Sequence, residues 1–133
     1  MKILIDTCVA LDVLDKREPF FDSSKNVLAL AAQQKIEAYI TSKSISDIYY
    51  LLHKHNHSIV DSKRVISTLL ELVNVIDVNG IDIAKALASE MNDFEDAIIA
   101  ESAKRHGIDY IATRNIKDFQ LSPVSAVLPS QIK

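Results

Sequence analysis

Glycine is almost absent from this sequence, since Gly80 and Gly107 are the only two among 133 residues. A phosphate-binding P-loop and the glycine-rich dinucleotide fingerprint each need several glycines at fixed spacing. Neither motif can be written anywhere in the chain. The sequence therefore excludes nucleotide cofactors bound by loops of these two kinds.

Cysteine is equally scarce, because Cys8 is the only one. A single cysteine cannot close an internal disulfide, and it cannot build a thiolate zinc site without further cysteines. Its neighbours in the sequence are apolar. We interpret Cys8 as a small core residue.

Long apolar runs and excess positive charge are also missing. No stretch approaches the roughly 20 residues of a membrane-spanning helix, and the first apolar run reaches Asp6 too soon for a secretory signal. We expect a cytoplasmic protein with no membrane partner. The net charge of −3 gives no general attraction to polyanions, so nucleic-acid binding would depend on local basic clusters or bound cations.

What the sequence does contain is a regular alternation of short apolar strands and helical stretches within a length typical of one domain, 1–133. Such alternation predicts an α/β fold with helices on both faces of a mainly parallel sheet. We predict a turn at Asn79-Gly80 and a left-handed helix end at Gly107. The predicted strands are 2–5, 38–41, 73–76, 109–112 and 125–128. The predicted helices are 8–14, 21–34, one capped by Ser42 or Ser44 that runs to the polar segment 53–58, then 59–71, 81–90 and 94–106.

Acidic and amide side chains recur where predicted strands end or the following helices begin. In a parallel sheet these positions share one edge. Hard cations such as Mg²⁺ and Mn²⁺ prefer oxygen ligands of this kind, and a bound cation can activate water and offset phosphate charge. The sequence therefore predicts a divalent-metal site at this edge, formed by Asp6, Asp47, Asp93, Asp96, Asn115 and Asp118.

A simpler role is open for several of these acids. Asp6, Asp47 and Asp93 lie where helix caps and first-turn acids are favoured by free backbone N–H groups and the helix dipole. Asp96 differs, because it is the last acid before the apolar run 97–100. We therefore favour a functional role for Asp96 and leave capping open for the others.

Three segments resemble the motifs of PIN domains, in the family's order and over nearly the whole chain. The first is the strand that ends in Asp6-Thr7, the second is 93–100 with its two aspartates, and the third is 110–119 with Thr-Arg-Asn and Asp-Phe. Among PIN domains the chain is most similar to small stand-alone VapC-type proteins. The resemblance implies a three-layer α/β/α fold with a central, mainly parallel sheet of four to five strands.

The resemblance also implies an activity and partners. Such proteins are typically Mg²⁺- or Mn²⁺-dependent endoribonucleases, and they act as toxins held inactive by an antitoxin in the active site. RNA and a cognate antitoxin are therefore the expected partners. The resemblance implies Asp6, Asp96, Asn115 and Asp118 as metal-binding residues, to which their position lets us add Asp93, and we expect Asp6, Asp47, Asp96 and Asp118 to be the catalytic acids. Thr113 and Arg114 resemble the family's phosphate-side residues, although Arg114 could instead be a solvated loop charge. Lys43, Lys117 and Arg105 are further candidates for contacts with the RNA backbone.

Two positions depart from the family pattern. Asp47 is one methylene shorter than the usual Glu, and Asn115 offers a neutral carbonyl where a charged ligand is common. These departures leave open an inactive PIN domain that binds RNA or protein, which a metal titration with a cleavage readout would separate from a nuclease. A phosphate-accepting signalling domain is a weaker alternative, because Asp6-Thr7 lacks the adjacent acid pair such domains need.

Two other clusters attract attention in the sequence. His53, His55 and His57 resemble a zinc cluster, but residues two apart do not share a helical face. Tyr49 and Tyr50 lie in an apolar stripe, which is more often core or dimer interface than a base-stacking surface.

The apolar stripe around Tyr49 and Tyr50 generates a first prediction. A small domain with this much apolar helical surface has more than one sheet needs to cover, so we expect a homodimer. Sedimentation velocity over a concentration series should show the dimer mass. A monomer at the highest concentration would refute this expectation.

Overall fold

The computed structural model describes residues 1–133 and has one sheet of five strands. All neighbouring strands are parallel, and their order is β3-β2-β1-β4-β5. Parallel pairing confirms the predicted α/β class and the upper end of the predicted strand count. The strands are β1 (Lys2–Ile5), β2 (Glu37–Thr41), β3 (Asn74–Ile76), β4 (Tyr110–Ala112) and β5 (Ala126–Val127).

Six α-helices connect and cover the strands. Two short 3₁₀ helices, Ile116–Phe119 and Pro129–Gln131, follow β4 and β5. All six predicted helices are present, with ends shifted by one or two residues. The helices are α1 (Thr7–Leu14), α2 (Phe21–Ala32), α3 (Ser42–Asn56), α4 (Ile59–Leu69), α5 (Gly80–Ala88) and α6 (Phe94–Arg105).

The central strand β1 sends alternate side chains into two separate cores. Ile3 and Ile5 belong to a cluster of 16 buried residues that includes side chains of α1 to α4. Leu4 belongs to a second cluster of 13 buried residues, formed mainly with α5 and α6. Because strand side chains alternate between faces, the sheet is covered on both sides. The predicted three-layer α/β/α arrangement is confirmed.

Helix starts differ from the sequence expectation at two places. The cap of α3 is Thr41, whose hydroxyl accepts a hydrogen bond from the Ser44 backbone N–H at 3.1 Å, so neither Ser42 nor Ser44 is the cap. The predicted turn at Asn79-Gly80 is the start of α5, where Asn79 and Asp82 form a capping box. Gly107 has φ of 69°, which confirms the left-handed position after α6.

A fully buried acid, Asp12 of α1, ties the end of β4 to the first two helices. Its carboxylate accepts from Arg114 Nε at 2.8 Å and from Arg114 Nη2 at 3.0 Å. Ser24 of α2 donates a third hydrogen bond at 3.2 Å. The guanidinium lies 4.0 Å from the centre of the Phe20 ring. A bidentate pair with these neighbours fixes both side chains.

A second buried acid, Asp82, joins α5 to α6. Arg105 Nε and Nη2 each donate to its carboxylate at 3.0 Å, and Ser102 Oγ donates at 3.1 Å. Arg105 also donates to the Asp77 backbone oxygen at 2.9 Å. This arginine therefore links two helices on one face of the sheet.

The helices are short or amphipathic. None of them combines the length and the apolar character that crossing a bilayer requires.

The buried pair between Asp12 and Arg114 generates a stability prediction. Arg114→Ala leaves a carboxylate that is 0% exposed without its cation, and we expect a loss on the order of 3 kcal/mol in unfolding free energy. Chemical denaturation measures it. Arg64→Ala removes an exposed arginine that pairs with Asp61, and it should lose less than about 1 kcal/mol. Equal losses in the two variants would contradict the assigned role of Asp12.

Candidate active site

Asp6 follows β1 directly and is almost completely buried, with 5% of its surface exposed. Its Oδ1 caps α1 by accepting from the Thr7 backbone N–H at 2.8 Å. Its Oδ2 accepts from Thr113 Oγ1 at 2.8 Å. Burial raises the pKa of Asp6, while the hydrogen bonds from Thr113 and Thr7 oppose that effect. No cationic side chain hydrogen-bonds to this buried carboxylate.

Asp93 and Asp96 lie at the start of α6. Asp93 is the helix cap, because its Oδ1 accepts from the Asp96 backbone N–H at 3.0 Å. The capping role considered for Asp93 is therefore confirmed, and its charge also raises the pKa of Asp96. The exposed side chain of Asp93 remains available to a ligand.

The pKa of Asp96 carries the clearest sign of crowding. Partial burial, followed by the charges of Asp6, Asp93, Asp118 and Glu95, raises this pKa to about 7. Four carboxylates thus act on a fifth at the carboxyl edge of the sheet. Three other predicted acids, Asp6, Asp93 and Asp118, are thus near enough to Asp96 for their charges to raise its pKa.

Asn115 and Asp118 follow β4 and reach the same region. Both are exposed, and Asp118 lies in the 3₁₀ helix Ile116–Phe119. The Asn115 backbone N–H donates to Thr113 Oγ1 at 3.0 Å, whereas its side chain makes no capping hydrogen bond. The amide group of Asn115 therefore remains free to serve as a neutral oxygen ligand.

Asp47 has a different local partner. Its Oδ2 accepts from Lys43 Nζ at 2.7 Å, one turn earlier on α3. Lys43 also lies 3.5 Å from Glu95, which links the first turns of α3 and α6. Asp47 is thus paired with a lysine, unlike Asp6, Asp93 and Asp118. A direct role for Asp47 at a cation stays a prediction and requires Lys43 to release it.

Two of the predicted RNA-binding residues, Thr113 and Arg114 at the end of β4, form hydrogen bonds with acidic side chains. Thr113 is fully buried and holds Asp6, so it positions the carboxylate and does not face a phosphate. Arg114 uses Nε and Nη2 on Asp12, so only Nη1 is left for RNA, and a contact of Arg114 with RNA stays a prediction.

The other three RNA-binding candidates, Lys43, Lys117 and Arg105, differ in their position and in their partners. Arg105 is in the last turn of α6, about 14 Å along the axis from Asp96, and it binds Asp82. Its contact with RNA stays a prediction. Lys117 is exposed beside Asp118, and Lys43 is at the edge but paired. Contacts of these two lysines with RNA stay predictions.

Some residues of the site were missed in the sequence. Cys8 is only half-buried, and its Sγ lies 3.6 Å from Asp6 Oδ2, so it is a neighbour of the acid as well as part of the core. Burial and the Asp6 charge raise the pKa of its thiol to about 11. Glu95 was overlooked beside Asp96. Asp12 had a visible signal, because it interrupts the apolar stripe of α1.

The donor set suits a hard divalent cation, because every candidate ligand is a carboxylate or amide oxygen. A cation would also relieve the repulsion that raises the pKa of Asp96. The structure contains no group of three or more His, Cys, Asp or Glu side chains placed to hold an ion as they stand. Mg²⁺ commonly takes one or two carboxylates and completes its shell with water and phosphate, so it does not require three converging carboxylates.

The family model of the PIN domain matches residues 2–117, which include β1, α6 and the end of β4. The chain belongs to the PIN domain family. The four crowded aspartates of this PIN domain all lie inside or directly next to the matched range, since only Asp118 falls one residue beyond it.

This PIN domain is similar to several characterised proteins over nearly its whole length. Ribonuclease VapC1 of Aquifex aeolicus (strain VF5) is 26% identical over 138 residues, which cover 98% of this chain and 91% of the relative.

Solved structures agree on the fold. VapBC2 of Rickettsia felis, bound to a DNA fragment from its promoter, gives a TM-score of 0.76 at 18% identity, with 96% of this chain and 98% of that chain covered. A toxin–antitoxin complex from Klebsiella pneumoniae gives 0.69 at 25% identity, with 96% and 97% covered.

The raised pKa of Asp96 generates a prediction for the metal-free protein. The folded chain holds this proton up to about pH 7, whereas the unfolded chain loses it near the ordinary pKa of 3.8. Wild-type stability therefore falls as the pH rises between these values and then levels off. Asp96→Asn lacks the charge, so the variant should be more stable than the wild type above about pH 7 and similar to it near about pH 3.

Denaturation with EDTA across this pH range is the measurement. Asp61→Asn is the matched control, because Asp61 occupies the same third position of α4 that Asp96 occupies in α6. The control should lose about 0.3–1 kcal/mol. If Asp96→Asn loses stability like the control at alkaline pH, Asp96 is merely a first-turn acid.

Proposed function

We propose that this chain is a Mg²⁺- or Mn²⁺-dependent endoribonuclease, the toxin of a toxin–antitoxin pair. The observation that carries the proposal is the set of aspartates around Asp96, whose charges act on one another at one sheet edge. Buried Asp6 in this set has no arginine partner, unlike buried Asp12 and Asp82. Similarity over 98% of the chain to a protein named a ribonuclease supports the reaction. Similarity to a toxin–antitoxin complex supports an antitoxin as partner. We expect the protein to act in the cytoplasm, where its RNA substrate is found.

The proposed site has a fixed part and an adjustable part. Asp6 is held by the Thr113 hydroxyl and by the Thr7 N–H, so its carboxylate has one orientation. Asp96 and Asp118 project from the first turn of α6 and from the exposed 3₁₀ helix, which leaves them free to adapt to a ligand. We infer that Asp6 anchors the cation and that the other two complete its binding with the phosphate.

The cation and the acids would have different roles in phosphodiester hydrolysis. When bound, a divalent ion offsets the charge of the phosphate and acidifies a water molecule for attack on phosphorus. Without it, the carboxylates of Asp6, Asp96 and Asp118 would repel the RNA backbone. Attack by water breaks the bond between phosphorus and the leaving ribose oxygen, and the leaving oxygen takes up a proton. The acidic edge is therefore suited to phosphodiester hydrolysis only with a cation present.

Lys43 is a cation at the edge of the site that is already paired with carboxylates. It lies 2.7 Å from Asp47 and 3.5 Å from Glu95, and those charges raise its pKa although partial burial, the largest effect, opposes them. A phosphate entering the edge would compete with these two carboxylates for the ammonium group. In this proposal, the move of Lys43 to the phosphate would release Asp47 toward the cation.

Asp96→Asn tests the proposed activity directly. The change keeps the shape of the side chain but removes the charge that should hold the metal, so cleavage of single-stranded RNA with Mg²⁺ or Mn²⁺ should fall by orders of magnitude. Calorimetry should show weaker Mn²⁺ binding in the same variant. EDTA should abolish cleavage by the wild type.

Asp61→Asn serves again as the control and should cleave normally, since Asp61 pairs with Arg64 on the surface of α4. Undiminished cleavage by Asp96→Asn, or cleavage by the wild type in EDTA, would contradict the proposal. Mn²⁺ binding without any RNA cleavage would favour the alternative of a catalytically inactive PIN domain that binds RNA or protein.

A further inference from the structure

A cavity of about 210 Å³ lies beside the acidic edge and has no role in the site described above. Its walls come from the start of α2, from Arg114 after β4, and from the 3₁₀ helix after β5. The carboxyl ends of β4 and β5 lie at one edge because the two strands are parallel. Ligands of open parallel sheets bind in crevices outside this edge.

The cavity is joined to the acidic residues through two consecutive residues of the chain. Thr113 donates to Asp6 Oδ2 at 2.8 Å, and the next residue, Arg114, lines the cavity. The hydrogen bonds to Asp12 are the main cause that raises the pKa of Arg114, and the charge of Asp6 adds a smaller effect in the same direction. An RNA strand that runs from the cavity to the acidic edge therefore needs to span only a short distance.

Phe20 and Arg114 both line the cavity and are stacked on each other, so the guanidinium covers one face of the ring. The Phe20 ring is 39% exposed, and the Arg114 guanidinium lies 4.0 Å from its centre. The guanidinium cannot swing away freely, because fully buried Asp12 holds two of its nitrogens. Aromatic rings and guanidinium planes are the surfaces on which proteins stack unpaired RNA bases.

The remaining walls supply polar groups for the edge of a base. Asp12 uses Nε and Nη2 of Arg114, which leaves Nη1 for another acceptor. Ser23 of α2 and Ser130 of the last 3₁₀ helix also line the cavity and carry hydroxyl groups. Hydroxyls both donate and accept, so these groups can satisfy the mixed donors and acceptors of a nucleobase.

We propose that this cavity binds one nucleobase of the RNA substrate, adjacent to the phosphate that is cut. The inference rests on the proposed ribonuclease function and adds to it a subsite for the base. Pockets for whole drug-sized ligands are about 300–1,000 Å³, so a cavity of about 210 Å³ suits a single base. Because Asp12 balances the charge of Arg114, binding of the base rests on stacking and hydrogen bonds.

Phe20→Leu is the decisive variant, because it keeps an apolar side chain but removes the aromatic face. Tyr110→Leu is the matched control, since Tyr110 is also 39% exposed but lies at the start of β4, at the opposite edge of the sheet. Each folded variant, checked by circular dichroism, is titrated with the four ribonucleoside 5′-monophosphates without metal. Saturation-transfer NMR and the shifts of the Phe20 ring and Arg114 Nε resonances report binding.

We expect at least one nucleotide to shift the Phe20 and Arg114 resonances of the wild type. Phe20→Leu should weaken that binding by about 5- to 150-fold, the range associated with one stacked base. In cleavage of single-stranded RNA, the same variant should raise KM far more than it lowers kcat. Tyr110→Leu should match the wild type in both assays.

The two assays separate failure of this inference from failure of the proposed function. Nucleotide binding at Phe20 without any cleavage would refute the nuclease and keep the base site. Cleavage with unchanged KM and no nucleotide shifts at Phe20 would overturn the base site and leave the nuclease standing. Equal effects of Phe20→Leu and Tyr110→Leu would also overturn it, because the loss would then be unrelated to the cavity.

Discussion

The parallel direction of all five strands is the constraint on which the rest of the molecule depends. Because each connection must return to the same starting edge, every strand ends at the opposite one, and the loops that follow share that edge. Asp6 after β1, Asp96 at the start of α6 and Asp118 after β4 are distant in sequence but electrostatically coupled. The repulsion among them is a direct consequence of the topology.

This repulsion is confined to one place, because the protein neutralises its other buried acids. Asp12 has Arg114 and Asp82 has Arg105, each through bidentate hydrogen bonds. Asp6 is buried to nearly the same degree but is held only by hydroxyl, thiol and backbone groups. Local rules of stability are commonly broken where a protein binds or reacts. A bound cation would therefore stabilise the protein most at this edge, where the aspartates around Asp96 lack a cationic partner.

The fold and the position of the acids could be predicted from the sequence, since both follow from periodicity and chain direction. The helix stretches and the strands recur at regular intervals, and the family's motifs occur where those elements meet. Side-chain partners could not be predicted in the same way. Arg114 reaches Asp12 across 102 positions, and Arg105 reaches Asp82 across 23, so both arginines had seemed free for RNA. No local pattern encodes which distant carboxylate an arginine will meet.

The same limit explains why Phe20 was missed and why it matters. An aromatic residue before a helix predicts nothing by itself, and its importance depends on the Arg114 plane beside it. That plane is fixed only because Asp12 is buried and needs a cation. One ion pair therefore has two consequences: it secures the end of β4, where Thr113 orients Asp6, and it presents a rigid guanidinium next to an exposed ring. Thr113, which orients Asp6, and Arg114, which lines the cavity, are consecutive residues. A change that breaks the ion pair should therefore affect the acid and the cavity together.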